Sequence, residues 1–325
     1  MKCLPPFRVS PADENLGTSA SPYKAMIIVG QRINEMKKTA IKAQDWIISG
    51  DYFKRSSGQK IFFRRKGAGT PVLLVHGFPT WSYDYAELAE NLATDFDVIT
   101  FDFLGYGASD KPRGRAFSVD DSSDLIEELL LYLGIPEIHL VIHNYGGIVG
   151  QELLDRRGNN QLSFNVASVT LLNCGIVYAA YSPTRVQKLL ALPLLGRLVG
   201  SRITKEKVQD GLNAVRGARK IEAAEFKELW AGISRLDGHK LAHRHIRYNA
   251  ERATHAKRWE DALSGYDGLL QLVWGLDDPV SGEHVLDLAK PQRPRAKITE
   301  LEDVGHFPQS EAPDEVAAAI RSFVS

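Results

Sequence analysis

From about residue 50 onward, short apolar runs alternate with segments whose apolar residues recur at helical spacing. The runs PVLLV (71–75), DVITF (97–101), IHLVI (138–142), SVTLL (168–172), LLQLVW (269–274) and AKITEL (296–301) predict strands. Most are apolar at successive rather than alternate positions, as parallel strands covered on both faces should be. Two earlier pieces, DYFKRSS and KIFFRRK, flank Gly58-Gln59 and predict an antiparallel hairpin at the sheet edge. Leu125, Ile126, Leu129, Leu130 and Leu133 form one stripe on a helix over 121–133, and core packing accounts for it. Pro313 in a first turn, followed by Val316, Ile320 and Phe323, predicts a closing helix over 313–323. The expected fold class is α/β, a mostly parallel sheet flanked by helices.

The alternation stops between residues 175 and 262, a stretch rich in Arg, Lys, His and Ala with several helical segments and no strong strand. It predicts a helical cap, or lid, inserted into a core formed by residues 46–174 and 263–325. Residues 1–35 carry Pro5, Pro6, Pro11 and Pro22 among polar positions, and predict a disordered tail or an upstream start ahead of Met36. A chain of 325 residues can bury a core large enough to enclose a site. Lys+Arg 40 against Asp+Glu 40 leaves no basic field, which argues against nucleic acid as a partner. The two cysteines, Cys3 and Cys174, cannot make a disulfide framework and suit a reducing, cytoplasmic compartment. The early apolar run AMIIVG (25–30) is too short to cross a bilayer and lacks a signal-peptide layout, so no integral membrane segment is expected. Nothing in the composition fixes an oligomeric state.

In IHLVIHNYGGIVGQELLDRR (138–157) a buried strand runs into a glycine-flanked turn and then a helix. That is the context of a nucleophile elbow, with the reactive residue at the apex of a strained turn. The apex residue here is Asn144, a neutral amide. After the strand at 71–75 comes His76-Gly77-Phe78-Pro79, whose Phe78 N–H, with the N–H of Tyr145, would make a two-donor oxyanion hole. Asp278 follows the strand LLQLVW and His306 follows AKITEL, both at carboxyl ends of parallel strands, where open α/β sheets place their sites. Elbow, acid, histidine is the chain order of an α/β-hydrolase triad. Asp278 would accept the Nδ1 proton of His306 and leave Nε2 free to activate water. Asp277 competes for the acid role, and Asp278 is preferred because Pro279 and Val280 follow it directly. His239, His243, His245 and His255 lack metal-site spacing and read as solvated surface, so neither a metal nor an organic cofactor is expected and the partner is a small-molecule substrate.

The segments HGFPTWSYDY, DFLGYGASDKP, HNYGGIVGQELLDR and WAGISRLDG together resemble the α/β-hydrolases of the epoxide hydrolase and haloalkane dehalogenase group, and within it the mesoderm-specific transcript protein branch. The resemblance runs from about residue 46 to the C-terminus. It implies an Asp at the apex whose carboxylate attacks a substrate carbon, and a His-activated water that hydrolyses the resulting ester. Asn144 is the chief departure. Haloalkane dehalogenases commonly grip the halide with a Trp directly after the nucleophile, whereas Tyr145 stands there and Phe78 follows His-Gly. Epoxide hydrolases use lid tyrosines to hold the epoxide oxygen, which points to Tyr248 in HIRYNAER, with Tyr178 and Tyr181 as partners.

An amide has no anionic oxygen, and removing the nucleophile from a comparable covalent mechanism costs about a millionfold in turnover. The expected function is thus an epoxide-hydrolase-like hydrolase whose covalent step Asn144 blocks. Such an amide arises by an introduced Asp-to-Asn change, or is converted back to Asp by His306-activated water. Alternatives are haloalkane dehalogenation, noncovalent ester or lactone hydrolysis by His306 and Asp278, and a ligand-binding pseudoenzyme.

Overall fold

The computed structural model describes residues 41–114 and 116–324. The expectations for residues 1–35 and Met36 lie outside the described residues. A first short helix, α1 (Ala43–Ile48), leads into the hairpin β1 (Asp51–Lys54) and β2 (Lys60–Lys66). There follow β3 (Pro71–Val75), α2 (Ala86–Leu92), β4 (Asp97–Phe101), α3 (Val119–Leu133), β5 (Glu137–His143), α4 (Tyr145–Gly158) and β6 (Asn165–Leu172). The connection to β7 (Leu269–Gly275) carries α5 (Arg185–Ala191), α6 (Pro193–Ser201), α7 (Lys205–Asn213), α8 (Ala223–Ser234), α9 (Ala242–His245) and α10 (Tyr248–Gly265). The chain closes with α11 (Glu283–Ala289), β8 (Lys297–Leu301), α12 (Pro308–Glu311) and α13 (Pro313–Val324).

The eight strands form one sheet in the order β1-β2-β4-β3-β5-β6-β7-β8. β1 and β2 pair antiparallel at one edge, and β2 meets β4 antiparallel, while β3 to β8 run parallel to one another. Alternate residues of the parallel strands feed two separate cores. Leu73, Ile99, Leu140 and Leu272 face a core closed by Leu125, Leu129 and Trp259. Val72, Val98, Val141 and Val273 face the other, closed by Trp46, Leu88, Val316 and Ile320. Burial on both faces is why these strands read as continuous apolar runs.

Helix α3 shows how local sequence sets an element. The Ser118 side chain accepts the Asp121 N–H at its start, and Gly134 ends it in the left-handed conformation (φ 66°). Between these caps Leu125, Ile126, Leu129 and Leu130 are buried, as the stripe predicts. One feature of the sheet order matters for the site. β3 lies between β4 and β5, so the chain winds one way into β4 and the other way through β5 to β8. The carboxyl ends of β3 and β5 therefore adjoin at the reversal point, where such sheets leave a crevice.

Candidate active site

At the end of β5 the backbone turns at Asn144 with φ 50° and ψ −110°, then enters α4 at Tyr145. A non-glycine residue in the left-handed region costs about 1–3 kcal/mol and persists only where its surroundings hold it. Here they do. A Cβ at Gly77 would sit 2.5 Å from Asn144 Cβ, and one at Gly147 would sit 2.4 Å from Cys174 Sγ, so only glycine lets the neighbouring loop and helix close on the apex.

The turn aims the Asn144 side chain into a continuous chain of hydrogen bonds. The Phe78 N–H donates to Asn144 Oδ1 at 2.9 Å. Since that donor requires an oxygen, Asn144 Nδ2 faces the other way and donates to His306 Nε2 at 2.8 Å. His306 Nδ1 donates to Asp278 Oδ2 at 2.6 Å. Asp278 Oδ1 also accepts the Val280 N–H at 2.7 Å, and its Oδ2 accepts from Asn173 Nδ2 and Ser281 Oγ, each at 3.2 Å. Burial pushes the Asp278 carboxyl upward. The His306 imidazole and these donors outweigh it and hold the carboxyl below the ordinary Asp range. The competing Asp277 is exposed, and it is Asp278 that hydrogen-bonds His306.

The loops bearing these groups are tied down independently. The His306 N–H donates to Val215 O at 2.9 Å, and the His306 carbonyl accepts from His143 Nε2 at 2.7 Å. The Glu311 carboxylate collects the N–H groups of Gly305, Phe307 and Gly217 at 2.8–2.9 Å, clamping the histidine loop to the β6–β7 connection. On the other side, His76 Nε2 accepts the Phe103 N–H at 3.0 Å, and Asp102 accepts from the N–H groups of Ser82 and Ala108. The DFLGYGASDKP loop is thus a brace for the HGFP turn. Both His76 and His143 are fully buried, and burial lowers the pKa of each.

A cavity of about 910 Å³ opens onto Phe78, Thr80 and His306. Its walls come largely from the β6–β7 connection, with Leu190, Val199, Ile203 and Leu212 among them. Tyr248 is 3% exposed, its ring centroid 4.8 Å from Tyr145 and 6.5 Å from Phe78, beside both proposed oxyanion-hole residues but not in the cavity wall. Tyr181 lies under Arg252, whose guanidinium carbon is 4.3 Å from the ring centroid. Tyr178 is 43% exposed and also faces Arg252; the structure sets it outside the cavity because its ring packs on that guanidinium.

Sequence reading missed several site residues and misread another. His245 is not solvated surface. It is 6% exposed, lines the cavity and stacks on Tyr106 at 4.0 Å, which the glycine at 105 permits because a Cβ there would meet His245 Nε2 at 2.5 Å. His239, His243 and His255 are half-buried. Asn173, which orients Asp278, stands one residue beyond β6, and that position at a parallel strand's carboxyl end was the available signal. Asp84 is buried beside the cavity residue Thr80, which donates to it. Burial pushes its carboxyl up to about 7. Among the described residues no cluster of His, Cys, Asp and Glu has the geometry to hold a metal ion.

Similarity to known proteins agrees with this geometry. The chain is 32% identical over 288 residues to LipZ of Mycobacterium tuberculosis, covering 88% of this chain and 99% of that one. It is 34% identical over 296 residues to the mesoderm-specific transcript homolog protein of Homo sapiens, covering 86% and 87% of the two chains. A solved haloalkane dehalogenase from Bradyrhizobium elkani superposes with a TM-score of 0.69 at 20% identity, over 85% of this chain and 97% of that one, a likeness of fold. Residues 70–313 match the alpha/beta hydrolase fold model, the span from β3 to the start of α13 that contains every loop of the hydrogen-bonded chain. With sheet order, elbow and sequence in agreement, the chain belongs to the α/β-hydrolase fold family.

Proposed function

We propose that this protein is an epoxide-hydrolase-like hydrolase for a small apolar electrophile, in which Asn144 occupies the nucleophile position and withholds the covalent step. The observation that carries this reading is the unbroken chain from the Phe78 N–H through Asn144 and His306 to Asp278. A carboxylate at position 144 would keep one oxygen on the Phe78 N–H, with Tyr145 N–H as the second donor. Its other oxygen would stand where Nδ2 stands, facing substrate. Attack on carbon gives an alkyl ester and an alkoxide that takes up a proton. Water deprotonated at His306 Nε2 then cleaves the ester, with Asp278 stabilising the imidazolium.

With Asn144 in place the route stops at its first step. The amide carries no negative oxygen, and its N–H occupies the Nε2 lone pair that water would need. The same contacts disfavour noncovalent ester or lactone hydrolysis, because Asn144 holds both the base and an oxyanion donor. The helical β6–β7 connection serves as the cap. Tyr248, packed on Tyr145 and Phe78, is the candidate donor to the epoxide oxygen, with Tyr181 as its neighbour. Turnover of epoxides, haloalkanes and esters by the Asn144 protein and by Asn144→Asp tests the reading, with intact mass confirming which residue each preparation carries. Epoxide turnover by the Asp form alone is expected. Ester turnover by the Asn form alone would overturn the covalent reading, and turnover by neither, with a ligand that raises the melting temperature, would make the protein a binder.

A further inference from the structure

The chain has no acidic residue between Asp155 and Glu206, although the whole protein is charge-balanced. Within that span α5 and α6 are joined through Leu192 and packed so closely that a Cβ on Gly196 would meet the Leu190 carbonyl at 2.1 Å. Of the 14 large hydrophobic side chains exposed among the described residues, six fall on this pair: Val186, Leu189, Leu192, Leu194, Leu195 and Leu198. Leu194 is 89% exposed. A concentration of this kind marks an interaction surface rather than scattered surface residues. Arg185, Lys188 and Arg197 on these helices and Arg202 directly after α6 are exposed, and none forms an ion pair among the described residues. Four of the six apolar residues, Val186, Leu189, Leu195 and Leu198, also line the cavity that ends at His306.

We propose that α5 and α6 form a membrane-docking element for a bilayer containing anionic lipid. The leucines at the joint enter the outer acyl region, and the four cations lie at the headgroups. Charge selects this occupant: two helices with exposed leucines, four cations without an ion pair among the described residues and no carboxylate of their own match anionic lipid, whereas two copies of them would repel each other. At seven and nine residues the helices are far shorter than the roughly 20 needed to span a bilayer, so they lie in the interface. An apolar substrate dissolved in the membrane then reaches the site along Leu189, Leu195 and Leu198 without crossing water.

The test is co-sedimentation of the full chain with phosphatidylcholine vesicles, with and without phosphatidylglycerol. Binding is expected to rise about tenfold or more with the anionic lipid. Leu192→Glu/Leu194→Glu and, separately, Arg185→Glu/Lys188→Glu should each reduce it by a similar factor. Leu194→Trp should blue-shift with vesicles and be quenched by brominated acyl chains. Unquenched Trp, or sedimentation unchanged in the leucine variant, overturns the proposal. So does a concentration-dependent dimer abolished by Leu194→Glu, which would give the surface to a second copy. A melting temperature several degrees lower in that variant likewise overturns it, because the leucines would then pack within the chain. None of these readouts requires turnover, so their failure leaves the reading of Asn144 untouched.

Discussion

The floor of the cavity and its helical wall hold their buried histidines in opposite ways. His306 on the floor has both ring nitrogens paired, and its backbone N–H and carbonyl are paired as well. His245 in the wall is almost as buried, but among the described residues its Nε2 has no hydrogen-bond partner, and aromatic stacking on Tyr106 holds the ring. Floor groups are fixed in direction before any ligand arrives, which is what transition-state stabilisation requires. The His245 ring is instead held by stacking and burial. A ring held in this way can sort ligands by bulk and polarity without taking part in the chemistry.

The largest effect that should separate the two regions is at the apex. Asn144→Asp is expected to raise epoxide turnover by about a millionfold in initial-rate assays, since it restores the missing anionic oxygen. In that background His306→Gln or Asp278→Asn should lower kcat by roughly 10⁴-fold, whereas His245→Gln should change KM and leave kcat within tenfold. Equal losses of kcat at 245 and 306 would erase the distinction between floor and wall.

Proton linkage gives a smaller effect, beside the cavity. Burial raises the Asp84 carboxyl to about 7, above its unfolded value of 3.8, with the Thr80 hydrogen bond and Arg216 opposing the rise. The folded state therefore binds more protons than the unfolded state between those values. Stability falls as pH rises through that window, by up to roughly 4 kcal/mol at about 1.4 kcal/mol per unit. Asp84→Asn should flatten the dependence, so that urea unfolding shows the variant gaining on the parent from pH 5 to pH 8.

Smaller still is the effect expected at Glu311. Glu311→Gln turns one of its oxygens into a donor facing backbone N–H groups, and should cost about 1–3 kcal/mol in chemical denaturation. Leu194→Ala on the exposed joint should stay within about 0.5 kcal/mol. A comparable loss at both positions would mean that the joint is packed as firmly as the floor.

The strands were legible because burial on both faces leaves an unbroken apolar run. PVLLV and DVITF match β3 and β4 residue for residue, and the other four match within a few residues at their ends. The edge hairpin was legible from its turn. The elbow was legible too, since a strand, a tight turn and a helix are all local. His245 was not. It sits among Arg, Lys and His on a short helix, and contacts with Tyr106 and Phe117, well over 100 residues earlier in the chain by numbering, remove it from water. Asp84 reads as one polar residue in SYDY, and its burial comes from elements distant in sequence. Of the tyrosines expected from family resemblance, Tyr248 packs on Tyr145 and Tyr178 on Arg252, contacts that local sequence does not reveal.

By itself the sequence determined the sheet, the apex turn and the identity of its amide, because periodicity, glycine placement and side-chain chemistry act over a few residues. Tertiary structure alone decided that Asn144 Nδ2 caps His306 Nε2, that Glu311 clamps the histidine loop, and that the leucines of α5 and α6 face both solvent and cavity. Each of these depends on the distance and direction between groups far apart in the chain. Hydrogen bonding and burial depend on just those two quantities, and one-dimensional order does not contain them.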